Sequence, residues 1–253
     1  MFTQERIIDT YKRKGYLFFE KGYNNLNICA IRNKNRVANT FDDTLCILYR
    51  RPTTPVGKFE MVQFKCTVDP GSYYLKNLMD SGGAAGIKPG QYKKLWRLGY
   101  FHNYPALIQI SAVEVFRDSN RDNILDYDES KTSVGNYGIF LHQHYQGVDT
   151  AKVVENSSAG CVVAEKISDF DKLISLCKLQ SQSGQGDTFS FTLFDEADFT
   201  NSTLDTLNSM PISANGSKRN NKGNKGHDNI PEGGDSTGHI DEVESGESTV
   251  FPS

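Results

Sequence analysis

The chain is 253 residues long with 28 basic against 31 acidic side chains, and a net charge of −3 gives no global electrostatic case for nucleic-acid binding. Hydrophobic residues make up 37% and aromatic residues 11%, enough to pack a core over most of the length but not all of it. The apolar runs are only a few residues long and the N-terminal segment MFTQERIIDTYKRKGYLFFEKGY is charged throughout. The expectation is therefore no membrane span and no signal peptide, with the protein cytoplasmic until released or virion-associated.

In chain order, residues 3–14 predict a short helix with Ile7, Ile8 and Tyr11 at helical spacing, and residues 1–25 read as a helical lead-in. From Leu26 the pattern becomes strand-like, in the runs LNICAIRN, TLCILYR and KFEMVQFKCTV. The Gly- and Pro-rich stretch from Asp69 to Gly99 reads as a long ordered loop. Strands are expected again at ALIQISAVEVFR and YGIFLHQ. A helix is expected from about Ser168 to Gln180, with Ser168 as N-cap and Phe170, Leu173, Ile174 and Cys177 as its buried stripe. The strand DTFSFTLF closes the compact part, so residues 26–198 form one mainly β (β-rich α+β) domain. Residues 199–253 are Gly, Asn, Ser and charge with few apolar groups, a composition that predicts a disordered polar tail. A tether that orders on a protein partner, with Val250 and Phe251 as anchor, stays open beside it.

Five cysteines with no CxxC pair argue against a disulfide framework or a structural zinc site. Cys29, Cys46, Cys66 and Cys177 sit in apolar contexts that suit buried, inert thiols. Cys161 differs. It follows Ser158, Ala159 and Gly160, small residues that let a carbonyl approach and leave backbone N–H groups near Gly160 and Cys161 free for an oxyanion. His142 ends the preceding strand, and an imidazole is the common means of activating a cysteine nucleophile. On spacing alone, a buried thiol beside an unrelated histidine is as good a reading. His144 is a competing base, a carbonyl-orienting group or a solvent-facing residue. Trp96, Tyr92 and Tyr100 either line a substrate groove or pack the Gly-rich segment onto the sheet.

A second pattern runs from Asp118 to Glu129. Asp118, Asn120, Asp122, Asp126 and Glu129 supply side-chain oxygens, and Ile124 offers its carbonyl, in the order of a calcium loop. Asn123 takes the place usually held by Gly and is expected to adopt a positive φ. The flanks read as strands, so the expected ion is a structural calcium in an EF-hand-like loop. An acidic turn without an ion is the alternative.

The segment Ser158-Ala159-Gly160-Cys161, preceded by His142, resembles the Ser/Thr-His-Gly-Cys motif and upstream histidine of the L,D-transpeptidase (YkuD-like) family. Thr54-Pro55-Val56-Gly57-Lys58-Phe59 is similar to the Thr-Pro-x-Gly-x-Phe segment that opens the catalytic sheet there. The likeness covers roughly residues 26–195 and leans toward a divergent branch of bacteriophage and Bacteroides type. It implies a mixed or antiparallel β-sheet domain with a helix after the catalytic cysteine. It also implies that Cys161 forms a thioester with a peptidoglycan stem peptide, with His142 as base, before transfer to an amine or to water. Two positions depart from the family: Ala159 replaces the motif histidine, and Val163 the arginine two residues past the cysteine. Hydrolysis, or a catalytically silent wall-binding or virion structural module, therefore stands beside transpeptidation.

Overall fold

Helix α1 (Gln4–Arg13) begins where Thr3 accepts the Arg6 amide at 3.3 Å, with Glu5 in its first turn and Lys12 and Arg13 in its last, all favourable to the helix dipole. Its buried residues Ile7 and Tyr11 are four apart and so share one face. These positions belong to a computed structural model that describes residues 2–200.

Ten further elements build the first part of a closed barrel and a smaller sheet. They are β1 (Asn27–Arg32), β2 (Asp43–Tyr49), β3 (Glu60–Thr67), the short helix α2 (Ser72–Lys76), β4 (Ala84–Ile87), β5 (Gly90–Phe101), β6 (Tyr104–Gln109), β7 (Val113–Asp118), β8 (Thr132–Gly135) and β9 (Leu141–Gln143). The chain continues through β10 (Val162–Ala164), α3 (Ile167–Gln182) and β11 (Thr188–Asp195). The barrel runs β1-β11-β5-β6-β9-β10-β3-β2, and the β1–β2 pairing closes it. Two of its pairs are parallel, β1 with β11 and β9 with β10, so the barrel is mixed. Strands β4, β7 and β8 form the separate antiparallel sheet. The protein is mainly β.

Alternation sorts the side chains. Ile28, Ala30, Leu45, Ile47, Phe191 and Leu193 share the main core, while Cys29, Ile31, Cys46, Leu48 and Phe194 face a second cluster with Ile7 and Tyr11 of α1. Strands β1 and β2 are therefore buried on both faces, and read as near-continuous apolar runs for that reason. The lead-in helix is thus part of the domain's packing. On α3, Phe170, Leu173, Ile174 and Cys177 enter the main core. Ala85, Ile87, Val113 and Val115 of the small sheet join the same cluster.

Four sequence expectations need correction. The stretch 69–99 holds α2, β4 and most of the long strand β5 rather than a loop. Its Gly86, Gly90 and Gly99 do not take positive φ, so they continue strands that their composition seemed to break. ALIQISAVEVFR is not one strand. It breaks after Gln109, and β6 and β7 lie in different sheets. YGIFLHQ keeps only its last three residues as strand.

The fourth concerns Ser168. Helix α3 has Lys166 at its N-cap, with no side-chain bond from that residue. The capping oxygen comes instead from Asp149, which accepts the Ser168 amide on its carboxylate at 3.0 Å and the Ile167 amide on its carbonyl at 2.8 Å. Beyond β11 a turn of 3-10 helix (Glu196–Phe199) buries Phe199 against Phe2 and Phe194, so the folded part reaches past 198. The expected tail from residue 201 onward lies outside the described residues. Among those described, no helix is long and apolar enough to cross a membrane.

Candidate functional site

Strands β9 and β10 run side by side with Leu141 opposite Val162 and His142 opposite Val163. Leu141 and Val162 point into the main core. The alternate residues then point the other way, placing Phe140, His142, Cys161 and Val163 on the outer face. There Cys161, Val163 and Phe140 pack with Phe41, Ala151 and Val154. His142 and Cys161 are diagonal neighbours across this parallel pair, a relation imposed by register and hidden from their separation in sequence.

The turn before Cys161 is held by Ser158. Its buried hydroxyl donates to the Cys161 carbonyl at 2.9 Å and accepts the Gly160 amide at 3.1 Å. Gly160 has φ of 129°, and a Cβ there would run into the carbonyl oxygen of Ala85. Only glycine fits. Because the Gly160 amide is bonded to Ser158, it is not free for an oxyanion as the sequence suggested.

Cys161 is 8% exposed. Its sulfur receives the Phe140 amide at 3.4 Å and faces the Gly138 carbonyl at 3.4 Å. Burial pushes the thiol up to about 11, against the smaller opposing effect of the Phe140 N–H. His142 is buried too, and burial lowers it to about 4 although the Gln143 carbonyl supports the charged form. The Gln143 carbonyl lies 2.7 Å from Nδ1, which fixes the proton there and leaves the lone pair on Nε2. Nε2 is buried with no hydrogen-bond partner. The two side chains are not bonded to each other, and both are neutral at pH 7.

Tyr145 is the residue the sequence reading missed. Its ring stacks on His142 with centroids 5.3 Å apart and planes at 16°. Its hydroxyl is likewise buried and unpartnered. Burial raises it above the ordinary phenol range, and Cys161 adds to the shift. The available signal was its place three residues after His142, just past the strand end, where the chain folds back over the ring. Phe101 closes a second side of His142 at 5.0 Å. His102, at positive φ in the tight β5–β6 turn, stands 5.3 Å from the Tyr145 ring. Phe101, His102, His142, Tyr145, Ala159 and Cys161 all line one cleft of about 430 Å³.

Neither a family model nor a curated protein matches this chain.

His144 lies outside that cleft. It is fully buried, with Nε2 at 3.3 Å from the Asp149 carbonyl and Nδ1 accepting the Gln146 amide at 3.2 Å. Both ring nitrogens are occupied in ordering the segment that caps α3. β9 has ended by residue 144, so strand alternation does not put His144 on the face of His142. Trp96 is fully buried and donates to the Ile139 carbonyl at 2.8 Å, and Tyr92 bonds the Lys88 carbonyl at 2.6 Å; neither lines the cleft. Tyr100, on β5, is exposed. The Thr54–Phe59 segment forms the turn between β2 and β3. Thr54 there accepts the Arg51 amide and bonds Glu60, and β3 then runs beside β10.

In the acidic segment, Asp118 ends β7, and Asn120, Asp122 and Asp126 gather near it. The residue at positive φ is Arg121, not Asn123. Glu129 turns away to Lys88, 2.7 Å distant. Ile124 faces Val37 in an isolated bridge while Leu125 is buried. Among the described residues, no three His, Cys, Asp or Glu side chains form a ready-made metal cluster.

Proposed function

We propose that this protein is a cysteine-dependent enzyme of the L,D-transpeptidase type that processes peptidoglycan stem peptides, with Cys161 as nucleophile and His142 as general base. One observation carries the reading. Cys161, His142 and Tyr145 line a single cleft, and His142 Nε2 and Tyr145 Oη are buried polar atoms without partners. Such atoms cost free energy unless a ligand completes them. The substrate class rests on the motif resemblance of residues 54–59, His142 and 158–161.

In this mechanism the thiol proton passes to Nε2 as the sulfur adds to a stem-peptide carbonyl carbon. The C–N bond then breaks and the leaving amine takes that proton, leaving an acyl thioester on Cys161. An incoming amine or water gives its proton to Nε2 and attacks the thioester, and the sulfur leaves and recovers a proton. Tyr145 Oη–H donates to the carbonyl oxygen as it gains charge, the role the Gly160 amide cannot fill. Release by lysis or from a virus particle would bring the enzyme to its substrate.

A second reading is favoured by the neutral, unlinked Cys161 and His142 and by the side chains at Ala159 and Val163: a catalytically silent module that binds cell wall or builds a virion. Incubating wild type and Cys161→Ala with purified peptidoglycan, and reading soluble products by mass spectrometry, separates the two. Products or altered cross-links from wild type alone support the enzyme. Identical profiles from both proteins overturn it in favour of the silent module.

A further inference from the structure

The connection from β7 to β8 presents oxygen donors in a pattern that neither the barrel nor the cleft requires. Asp118 is 5% exposed, and its carboxylate accepts the Asp126 amide through Oδ2 at 3.0 Å. Its other oxygen, Oδ1, is buried with no partner. A buried carboxylate oxygen left bare is unusual, because its desolvation is normally offset by a donor.

The rest of the loop converges on the same region. Asn120 Nδ2 donates both to Asp122 Oδ2 at 3.1 Å and to Asp126 Oδ2 at 2.9 Å. Two carboxylates thus share one point that is held by the partial positive charge of an amide. Asn120 Oδ1 accepts the Asp122 amide, and Asp122 Oδ1 the Ile124 amide at 2.7 Å, so the loop's own backbone fixes the curvature. The loop is docked by the Leu125 amide on the Arg36 carbonyl at 2.8 Å and the Ala38 amide on the Asn123 carbonyl at 3.1 Å. Every donor is a hard oxygen, the set preferred by calcium.

We propose that this loop binds one calcium-class divalent cation. Its ligands are Asp118 Oδ1, Asp122, Asp126, the Ile124 carbonyl and the Asn120 amide oxygen, after the amide turns that atom inward. Glu129, which sequence spacing nominates, stays with Lys88 and is excluded. An amide oxygen and a backbone carbonyl complete the shell around the three carboxylates, which the ion itself would draw together. The ion is structural. It locks the β7–β8 connection against the 36–38 segment, and next to it Tyr127, whose hydroxyl bonds Asp69 at 2.9 Å.

The test is equilibrium dialysis of the full chain against calcium, with terbium luminescence sensitised by Tyr127 as an independent readout. The companion protein is Asp122→Asn/Asp126→Asn. Neither substituted side chain is in the core, and circular dichroism checks that the variant folds; Asp122→Asn alone replaces it otherwise. The expected result is one saturable ion per chain, tyrosine-sensitised terbium emission displaced by calcium, and a calcium-dependent rise in melting temperature, all lost in the variant. Failure to saturate at millimolar calcium, or binding that survives the substitutions, overturns the proposal. The peptidoglycan assay does not enter into this result, so the two proposals stand or fall separately.

Discussion

The imidazole of His142 and the phenol of Tyr145 are stacked at 5.3 Å, each carries one unbonded, buried polar atom, and both residues line the cleft that holds Cys161. Stacking fixes both rings, while the Gln143 carbonyl fixes the imidazole tautomer. The pair is therefore set before any ligand arrives, which keeps the reorganisation cost of a reaction there low.

Replacing Tyr145 by Phe separates structure from chemistry. The ring stays and keeps its stacking, whereas the lost hydroxyl has no protein partner to abandon. Stability should hold or rise slightly, because an unsatisfied buried group is removed. Peptide processing should fall by about 10²- to 10³-fold, the usual effect of deleting one oxyanion donor. Thermal melting and product formation measured on the same preparation check both halves. A variant with reduced stability and full activity would rule out this role.

The acidity of the site sets a pH profile. His142 acts as base only when neutral, and with its pKa lowered to about 4 it is neutral above that value. Cys161, raised to about 11, remains a thiol across the same range. Activity should therefore be level from about pH 5 to 9 and fall as pH drops through about 4, where His142 gains its proton. A preformed thiolate–imidazolium pair would instead lose activity on the alkaline side, where the imidazolium gives up its proton. Initial rates across this range distinguish the two, and His142→Ala should cost about 10²- to 10⁴-fold throughout. Alkylation of Cys161 by iodoacetamide at pH 7 should be slow in the free protein for the same reason.

Much of this arrangement could be read from the sequence, and the parts that could not have identifiable physical causes. The runs around Cys29, Cys46 and Phe191 announced strands because β-branched and aromatic residues crowd them, and the Phe170–Cys177 stripe announced α3. Gly86, Gly90 and Gly99 misled because composition reports conformational freedom and not the φ that tertiary contacts select. Asp149 was missed as the cap of α3 because the contact comes from an earlier loop, with no local pattern to mark it. Cys161 and His142 were visible as residue types, but the parallel register that makes them neighbours is not encoded in either segment alone. Tyr145 acquires its place only once the chain has turned back past β9.

Gly160→Ala probes the turn that presents the nucleophile. The backbone sits at φ of 129°, and the added Cβ would collide with a carbonyl oxygen of the small sheet rather than with a flexible side chain. Backbone strain and displacement together should cost about 2–4 kcal/mol, measured by chemical denaturation. Activity should drop with it, since Ser158 can no longer hold both the Gly160 amide and the Cys161 carbonyl. A substitution costing under about 0.5 kcal/mol, within the range of neutral surface changes, would show that the turn relaxes freely.

Arg32 closes a buried charge network with Asp69 and Asp43. Its guanidinium bonds Asp69 at 2.9 and 3.2 Å and the Ile87 carbonyl at 2.7 Å, and it lies under the Tyr127 ring at 4.5 Å. Asp43 nearby is raised to about 8, first by burial and then by Asp69, with Arg32 acting in the opposite direction. A carboxyl raised by folding contributes stability that is fully present below its unfolded value and is lost as pH rises through the folded one. For Asp43 that window runs from about 4 up to about 8. Arg32→Ala removes the cation from two buried acids and should cost about 3–5 kcal/mol near pH 8. The loss should shrink toward pH 4, where Asp43 is protonated and no longer needs the guanidinium. Urea melts of both proteins at pH 4.5 and 8 measure the difference directly, and an equal loss at the two pH values would mean that packing, not charge, is what Arg32 contributes.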